Sequence, residues 1–318
     1  MTDYEPIDFF RGNDLVDDPY PYFDWLREQC PVRRETHHDV MMVTGFDEAV
    51  SVYTDTDSFS SCNSPTGPLP GFPVPLEGDD VTELIEQHRD ELPFSDQILT
   101  FDPPVHTAHR GLLMRLITPK RLRENEESMW QLADRQIDEF ADRGTCELIG
   151  EYGQPFAMLV IADLLGVPEG DQPEFQDQLG PGRRNRTGTV GATDREMAHS
   201  PLEFLYEKFT GYIEERRREP RHDVLTGMAT AMFPDGSTPD ALDVARIAAN
   251  LFAAGQETTV RLFGTALQRI GEDRDLQQLL RERRDLVPNF VEECLRIESP
   301  VKGDFRLARV TTATVPSP

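Results

Sequence analysis

The segment with the clearest chemical potential is residues 254–259, which read Ala-Gly-Gln-Glu-Thr-Thr in the most apolar part of the sequence. Burying an acid or a hydroxyl without a partner costs free energy, so Glu257 and Thr258 need an explanation. One is an acid–alcohol pair that relays protons beside a flat ligand, with Ala254 and Gly255 allowing close approach to the helix backbone. The other is a helix kink in which threonine hydroxyls bond back to carbonyl groups. The residue types favour neither interpretation.

A second segment, residues 102–110, reads Asp-Pro-Pro-Val-His-Thr-Ala-His-Arg. Its two prolines are typical of a helix start, and His106 and Arg110 then share one helix face, four residues apart. Residues 103–123 contain five basic side chains and no acid, in a chain of net charge −26. This positive patch suits an anionic ligand or an acidic partner. For residues 115–123, a solvated helix face balanced by acids elsewhere explains the charges better.

Ion pairs and metal ligands are less strongly indicated. Glu293 and Arg296 lie three residues apart in a helical segment and can pair on one face, as residues on many exposed helices do. His106 and His109 could form a metal-binding pair, but no third ligand follows at a usual spacing, so we predict no metal site there. The four cysteines are far apart and form no Cys-x-x-Cys pair, which indicates reduced thiols.

Helices must position most of these residues. One begins at Thr238-Pro239-Asp240, where a capping hydroxyl precedes a proline, and continues to Gly271. Its middle is apolar on nearly every face, which predicts a buried helix at the centre of the protein. We predict helices at residues 105–117, 122–142, 152–165, 201–218, 223–232, 239–271, 273–283 and 287–298.

Strand patterns are few. Residues 32–35 and 39–43 read as a short hairpin, and residues 305–312 as a further strand. Residues 60–78 hold five prolines and three glycines, which predicts a long irregular loop. The expected fold class is therefore mainly α with a small β portion.

Composition restricts the class of protein. The 318 residues are 38% hydrophobic, enough for a sizeable core, but no uninterrupted apolar run approaches the roughly 18 residues of a membrane span. The acidic start lacks the features of a secretory signal. A charge of −26 disfavours nucleic acid and anionic membranes as partners, because both are negative. We expect a soluble, cytoplasmic protein.

Three patterns in order, D-P-P-x-H-x-x-x-R, A-G-x-E-T-T in a long helix and E-x-x-R, resemble the cytochrome P-450 superfamily of haem-thiolate monooxygenases. The segment at residues 18–27 is similar to that of soluble bacterial members. The resemblance runs from about residue 15 to about residue 312. It implies a single cytochrome P-450-like domain over 1–318, with a long central helix and an incomplete C-terminal part.

The resemblance also implies roles for individual residues. His106, Arg110 and Arg306 match positions that bind the haem propionates, for which a guanidinium is chemically apt. Glu257 and Thr258 match the acid–alcohol pair that delivers protons to iron-bound dioxygen.

Four more residues match structural positions of the family. Ala254 and Gly255 would pack near the haem face, and Glu293 and Arg296 would form the pair that locks the fold behind the haem. We expect that pair to belong to a buried network.

The surroundings of the site follow from the same resemblance. Segments 60–100 and 180–200 match regions that close over substrate, and apolar residues there suggest an apolar pocket, although core packing explains them nearly as well: Phe72, Val74, Leu76 and Phe94. The basic residues 115–123 would lie toward the side where an acidic iron–sulfur partner docks. The implied partners are an apolar small molecule, a ferredoxin-type redox protein and its reductase.

One departure from the family is large. The iron ligand of the family is a cysteine in a Phe-Gly-x-Gly-x-His-x-Cys loop beyond the E-x-x-R helix, and this pattern is absent here. Cys294 lies inside that helix, so no metal ligand can be named. We expect the missing segment to leave apolar surface of the central helix uncovered.

Two functions are therefore open. One is a monooxygenase that inserts one oxygen atom from O₂ into an apolar small molecule, using haem and externally supplied electrons. The other is a truncated, catalytically incompetent helical protein without thiolate-ligated haem, at most a hydrophobic-ligand binder.

Overall fold

The computed structural model describes residues 4–12, 14–114, 117–180 and 194–312, with the backbone alone for 194–200. The chain divides into two compact units. Unit 1 comprises Met1–His106 and Asp304–Pro318, and unit 2 comprises Thr107–Gly303. The assignment of one domain to residues 1–318 stays a prediction.

Unit 1 holds short helices and two pairs of antiparallel strands. The pairing of Val32 with Val43 confirms the predicted hairpin, and Ser60 pairs with Leu307 in the second strand pair. The predicted strand at 305–312 is shorter than expected, since only two of its residues form regular pairs. The elements are α1 (Tyr20–Gln29), β1 (Val32–Arg34), β2 (Met41–Val43), α2 (Phe46–Thr54), β3 (Phe59–Ser60), α3 (Thr82–His88) and β4 (Leu307–Ala308), with 3₁₀ turns at Arg89–Glu91 and Ile98–Thr100.

Two small apolar clusters stabilise unit 1. Tyr22 and Leu26, four residues apart on α1, are buried against aromatic side chains of the N-terminal segment. Ile85 of α3 is fully buried with Cys62 in the other cluster. Phe72 packs against this second cluster, so core packing accounts for one of the side chains expected to line a substrate pocket.

All the regular elements in the described part of unit 2 are helices or helical turns. Its first helix, α4 (Val105–Met114), begins in the last residues of unit 1. The predicted helix at 122–142 is divided at Asn125, which ends one helix and precedes the next. The other elements are α5 (Pro119–Glu124), α6 (Glu126–Ala141), a π-helical turn (Leu148–Gly153), α7 (Gln154–Leu165), a 3₁₀ turn (Glu169–Asp171), α8 (Gln172–Leu179), α9 (Asp194–Arg218), α10 (Val224–Ala229), α11 (Ala241–Glu272), α12 (Arg274–Glu282), a 3₁₀ turn (Arg284–Leu286) and α13 (Val287–Ile297).

The long helix α11 is the axis of the unit 2 core, as predicted, but only in part. Phe252 is fully buried and meets Phe175 of α8 and Phe209 of α9, with ring centroids 5.3 and 6.0 Å away. The prediction of burial on every face is wrong for the second half of the helix. There Ala253, Ala254 and several polar residues are exposed, because charged side chains recur at a spacing of four on that face.

Helix α7 supplies an apolar surface that packs on α11. The stretch Leu148–Leu165 is long and apolar enough to cross a membrane by length and composition alone. The sequence analysis missed it because its uninterrupted apolar runs are short. Ile161, Ala162 and Leu165 belong to the unit 2 core, which is the packing of a core helix.

Candidate cofactor site

The exposed face of α11 carries the predicted acid–alcohol pair. The Thr258 hydroxyl donates to the carbonyl oxygen of Ala254 at 2.8 Å, the back-bonded arrangement weighed from the sequence. Glu257 is 57% exposed and accepts a hydrogen bond from Arg261 at 2.5 Å. Both polar groups are therefore satisfied within the helix, and neither is a buried orphan.

Arg261 connects this face to the segment after α13. Its second terminal nitrogen donates to the carbonyl oxygen of Pro300 at 2.9 Å. The carboxylate of Glu257 is thus held by a guanidinium that is itself anchored. Sequence reasoning missed Arg261, although a spacing of four from an acid on a helix is a readable signal.

Gly255 faces a different neighbour from Ala254. A Cβ added at Gly255 would lie 3.2 Å from the Cδ1 atom of Ile161 on α7. The absence of a side chain therefore lets α11 approach α7 closely. This packing accounts for the glycine, and its predicted contact with haem stays a prediction.

The first turn of α4 places the other predicted pair. The amide of His106 donates to the carbonyl oxygen of Asp102 at 2.9 Å, which starts the helix. Arg110 is exposed, and no carboxylate pairs with it among the residues that the structure describes. An exposed guanidinium without a carboxylate partner suits an anionic group.

The rest of the positive patch is only partly described. Arg115 lies outside the described residues, and Lys120 lies 3.7 Å from Glu124, which supports the interpretation of a solvated, balanced helix face. The ring of His109 packs at 5.2 Å from that of Phe233. Within the described ranges no group of three potential metal ligands occurs.

Asp102, the first residue of the D-P-P pattern, is the centre of a buried polar network in unit 1. Its side chain is 6% exposed and accepts hydrogen bonds from the Ser60 hydroxyl at 2.5 Å and the Ser61 amide at 2.8 Å. It also pairs with Arg89 at 2.7 Å and Arg309 at 2.5 Å. Burial alone would raise the pKa of Asp102, but the hydrogen bonds and the two guanidiniums outweigh it and lower the pKa.

Acidification is expected to remove the stabilisation that this network provides. Because the pKa of Asp102 in the folded protein lies below its ordinary value, the contribution is complete above about pH 4 and is lost as the pH falls through the lowered pKa. Urea unfolding at a series of pH values from 6 downward measures it. In Asp102→Asn the loss of stability with acid should be smaller than in the unaltered chain; equal losses would contradict the assignment.

Arg306, the third predicted propionate residue, already has a carboxylate partner. It lies 2.7 Å from Asp304, and its guanidinium stacks over the ring of Tyr53 at 4.9 Å. Asp304 also accepts a hydrogen bond from Ser64 at 2.6 Å. A propionate would have to compete with Asp304 for this guanidinium.

The pair of Glu293 and Arg296 forms, but not where it was expected. Two hydrogen bonds of 2.7 Å join the side chains, which are 55% and 69% exposed. The hydrogen bonds from Arg296 lower the pKa of Glu293. The expectation of a buried network is wrong here, because α13 turns Cys294 inward and leaves its neighbours at the surface.

A thiolate-ligated haem requires a cysteine whose surroundings favour the thiolate. Burial raises the pKa of Cys62 and Cys294, which favours neutral thiols, and Cys30 is exposed at the end of α1. Arg89 and Arg309 near Cys62, and Arg269 near Cys294, act in the opposite direction and do not outweigh the effect of burial. The donors on α4 and the small residues on α11 are each of a kind that suits a haem, a role that stays a prediction, and none of the described cysteines is assigned as its iron ligand.

A cavity of about 400 Å³ lies in unit 2, behind α11. It is lined by Gln136, Gln154 and Gln256 together with Met158. Gln256 is two residues from Ala254, which places it on nearly the opposite side of the helix. This cavity is more polar than the expected substrate pocket. Most of the second predicted closure segment, residues 181–193, lies outside the described residues.

Comparison with known proteins identifies relatives over nearly the whole chain. A solved structure of substrate-free cytochrome P450 CYP150A6 from Mycobacterium marinum is 52% identical, with a TM-score of 0.89, and the match covers 98% of this chain and 72% of that one. Cytochrome P450 144 from Mycobacterium tuberculosis is 30% identical over 98% of this chain and 70% of its own length. Cytochrome P450 109 from Bacillus spizizenii is 28% identical over 92% and 66%. No family model matches.

The match to a solved cytochrome P450 structure confirms the mainly α fold class. The chain spans about two thirds of the length of the curated relatives it matches, 66% and 70%.

Proposed function

Because the chain belongs to the cytochrome P450 family, whose members are haem-dependent monooxygenases, we propose that it inserts one oxygen atom from O₂ into an apolar small molecule. The observation that supports this most is the exposed face of α11. Small and polar residues, Ala254, Glu257 and Thr258, interrupt a helix whose first half is the core of unit 2. A flat cofactor needs such a face, since large side chains would prevent its approach.

Haem would be held mainly through its propionates. Arg110 offers a guanidinium without a carboxylate partner among the described residues, and His106 lies one turn before it on α4. Arg306 would contribute after release from Asp304. When bound, haem supplies an iron centre that activates O₂ with two electrons from outside. Haem is the cofactor that the family implies.

The side chains of α11 would handle protons. The Thr258 hydroxyl donates to a carbonyl of its own helix and can turn outward to donate to a ligand instead. The Glu257 carboxylate, held by Arg261, is exposed to water and can exchange protons with it. Together they would form a short path for protons from solvent to the exposed face.

The electron donor would be a ferredoxin-type protein served by its reductase, as expected of a bacterial member of the family. An acidic donor would meet the basic side chains of α5, including Arg121 and Arg123. We expect both proteins in the cytoplasm. A second function, a hydrophobic-ligand binder without thiolate-ligated haem, is favoured by one observation, that burial raises the pKa of Cys62 and Cys294.

A haem titration of residues 1–318 tests the proposal. Saturable binding of one haem per chain is the expected result, and a thiolate-type Soret band after reduction and addition of carbon monoxide would support the monooxygenase function. Binding without that band would support the ligand-binder function. A chain that is folded by circular dichroism and binds no haem would contradict the monooxygenase function.

Arg110→Ala should weaken haem binding about tenfold or more, because a hydrogen bond to a charged group contributes about 1.5–3 kcal/mol. Haem titration followed by absorbance measures the change. Arg123→Ala is the matched control, since Arg123 is also an exposed arginine on a nearby helix and is assigned no contact with haem. Equal affinities of the Arg110 and Arg123 variants would contradict the assigned role.

A further inference from the structure

Asp102 joins parts of unit 1 that are distant in sequence. It accepts from Ser60, the end of β3, at 2.5 Å and from the following amide of Ser61 at 2.8 Å. Its remaining bonds are to Arg89 of the 3₁₀ turn and to Arg309, just after β4. One carboxylate therefore connects the end of β3, a helical turn and the residue after β4, and it lies three residues before the start of α4.

Two of the joined segments carry predicted propionate residues. His106 follows Asp102 by four residues, and its amide donates to the Asp102 carbonyl at 2.9 Å. Arg306 directly precedes Leu307, which pairs with Ser60. The side chain of Asp102 thus holds the sheet beside Arg306, while its backbone starts the helix that carries His106.

The network around Asp102 is also balanced in charge. Asp102 and Glu86 together balance Arg89 and Arg309, so both buried guanidiniums have carboxylate partners. The Nε atom of Arg309 has no hydrogen-bond partner among the described residues. Without the charge of Asp102, Arg309 would have no carboxylate partner among the described residues, and Arg89 would keep only Glu86.

We propose that Asp102 is a positioning residue for the cofactor: it sets the placement of His106 relative to Arg306 so that both can bind haem propionates. This inference rests on the proposed function. A role in stability alone is the simpler alternative, but a buried ionic network is an inefficient stabiliser, because desolvation offsets much of its attraction. Its advantage over apolar packing is directional bonding, and here the bonds converge on the two segments that would meet the propionates.

The test compares Asp102→Asn with a control that loosens unit 1 elsewhere. The asparagine keeps the shape and removes the charge. Ile85→Val changes packing in the apolar cluster around Cys62 and removes no charge or hydrogen bond of the network. Ile85→Ala replaces it if a larger loss of thermal stability is needed to match that of Asp102→Asn. Two quantities are measured on each variant: haem affinity by titration and amide hydrogen exchange of the haem-free chain.

We expect Asp102→Asn to weaken haem binding at least tenfold and the stability-matched Ile85 variant to change it less than threefold. In the haem-free chain, the amides of His106 and Arg309 should exchange at least tenfold faster in Asp102→Asn, while the amide of Glu35 in the separate hairpin keeps its rate. In the Asp102→Asn background, Arg306→Gln should cost less affinity than in the unaltered chain, because Arg306 is already displaced.

Equal losses of haem affinity in the two stability-matched variants would show that Asp102 acts through stability alone and would overturn the inference. Unchanged exchange at His106 and Arg309 would overturn it as well. If the unaltered chain binds no haem, the proposed function fails, and the exchange rates still decide whether Asp102 fixes these two segments.

Discussion

Phe252→Ala is expected to lower the free energy of unfolding by about 3–5 kcal/mol, the usual cost of truncating a fully buried aromatic side chain. Phe252 is 0% exposed and contacts Phe175 and Phe209, so its removal leaves a cavity bounded by rings from two other helices. The backbone next to residue 252 cannot move easily into that space, because the hydrogen bonds of α11 hold it in place. Chemical unfolding followed by circular dichroism measures the loss.

Leu242→Ala is the control on the same helix. Leu242 is 41% exposed, and it lies near the start of α11, where truncation leaves no enclosed cavity. We expect it to change stability by less than about 1 kcal/mol. A Phe252 variant as stable as the Leu242 variant would show that α11 is not the axis of the unit 2 core.

Arg216→Met is expected to destabilise the protein by about 3–5 kcal/mol, the cost of breaking a buried ion pair from one side. Arg216 is 1% exposed and donates to Asp223 at 2.8 Å and to the carbonyl oxygen of Gly166 at 3.1 Å. Burial would raise the pKa of Asp223, but hydrogen bonds from Thr226 and Arg216 lower it, so the carboxylate is charged at neutral pH. The substitution leaves that charge partly buried with fewer partners.

A second substitution separates charge from packing in this network. Arg216→Met combined with Asp223→Asn removes both charges and should recover part of the lost stability, as measured in the same unfolding experiment. Arg218→Ala, at an exposed arginine two residues away, should change stability by no more than about 0.5 kcal/mol. If Arg216→Met lowers the free energy of unfolding no more than Arg218→Ala does, the buried pair contributes nothing to stability.

Local sequence patterns predicted the helices well. The signal at Thr238-Pro239-Asp240 predicted a helix to Gly271, and α11 runs from Ala241 to Glu272. Helix periodicity and capping act within a few residues, so they can be read from a short window. The same holds for the spacing of His106 and Arg110 on α4, and for the pair of Glu293 and Arg296 on α13.

The partners of these residues could not be read in the same way. The sequence showed an acid at residue 102, but not that Ser60, 42 residues earlier, would donate to it. Nor did it show that Ser64 would hold Asp304, 240 residues away. The sequence pattern singled out Gly255 as small, and only the packing of α7 showed that Ile161 explains it.

The sequence by itself therefore determined the fold class and the positions of most helices, and it singled out the side chains that we propose to meet an anionic, flat cofactor. Tertiary structure decided which distant groups hold these side chains in place, as Ser64 holds Asp304 beside Arg306 and the carbonyl group of Pro300 holds Arg261 beside Glu257. The physical reason is one of range. A helix forms from interactions between residues three or four apart, whereas burial and ion pairing depend on segments that only the folded chain brings together.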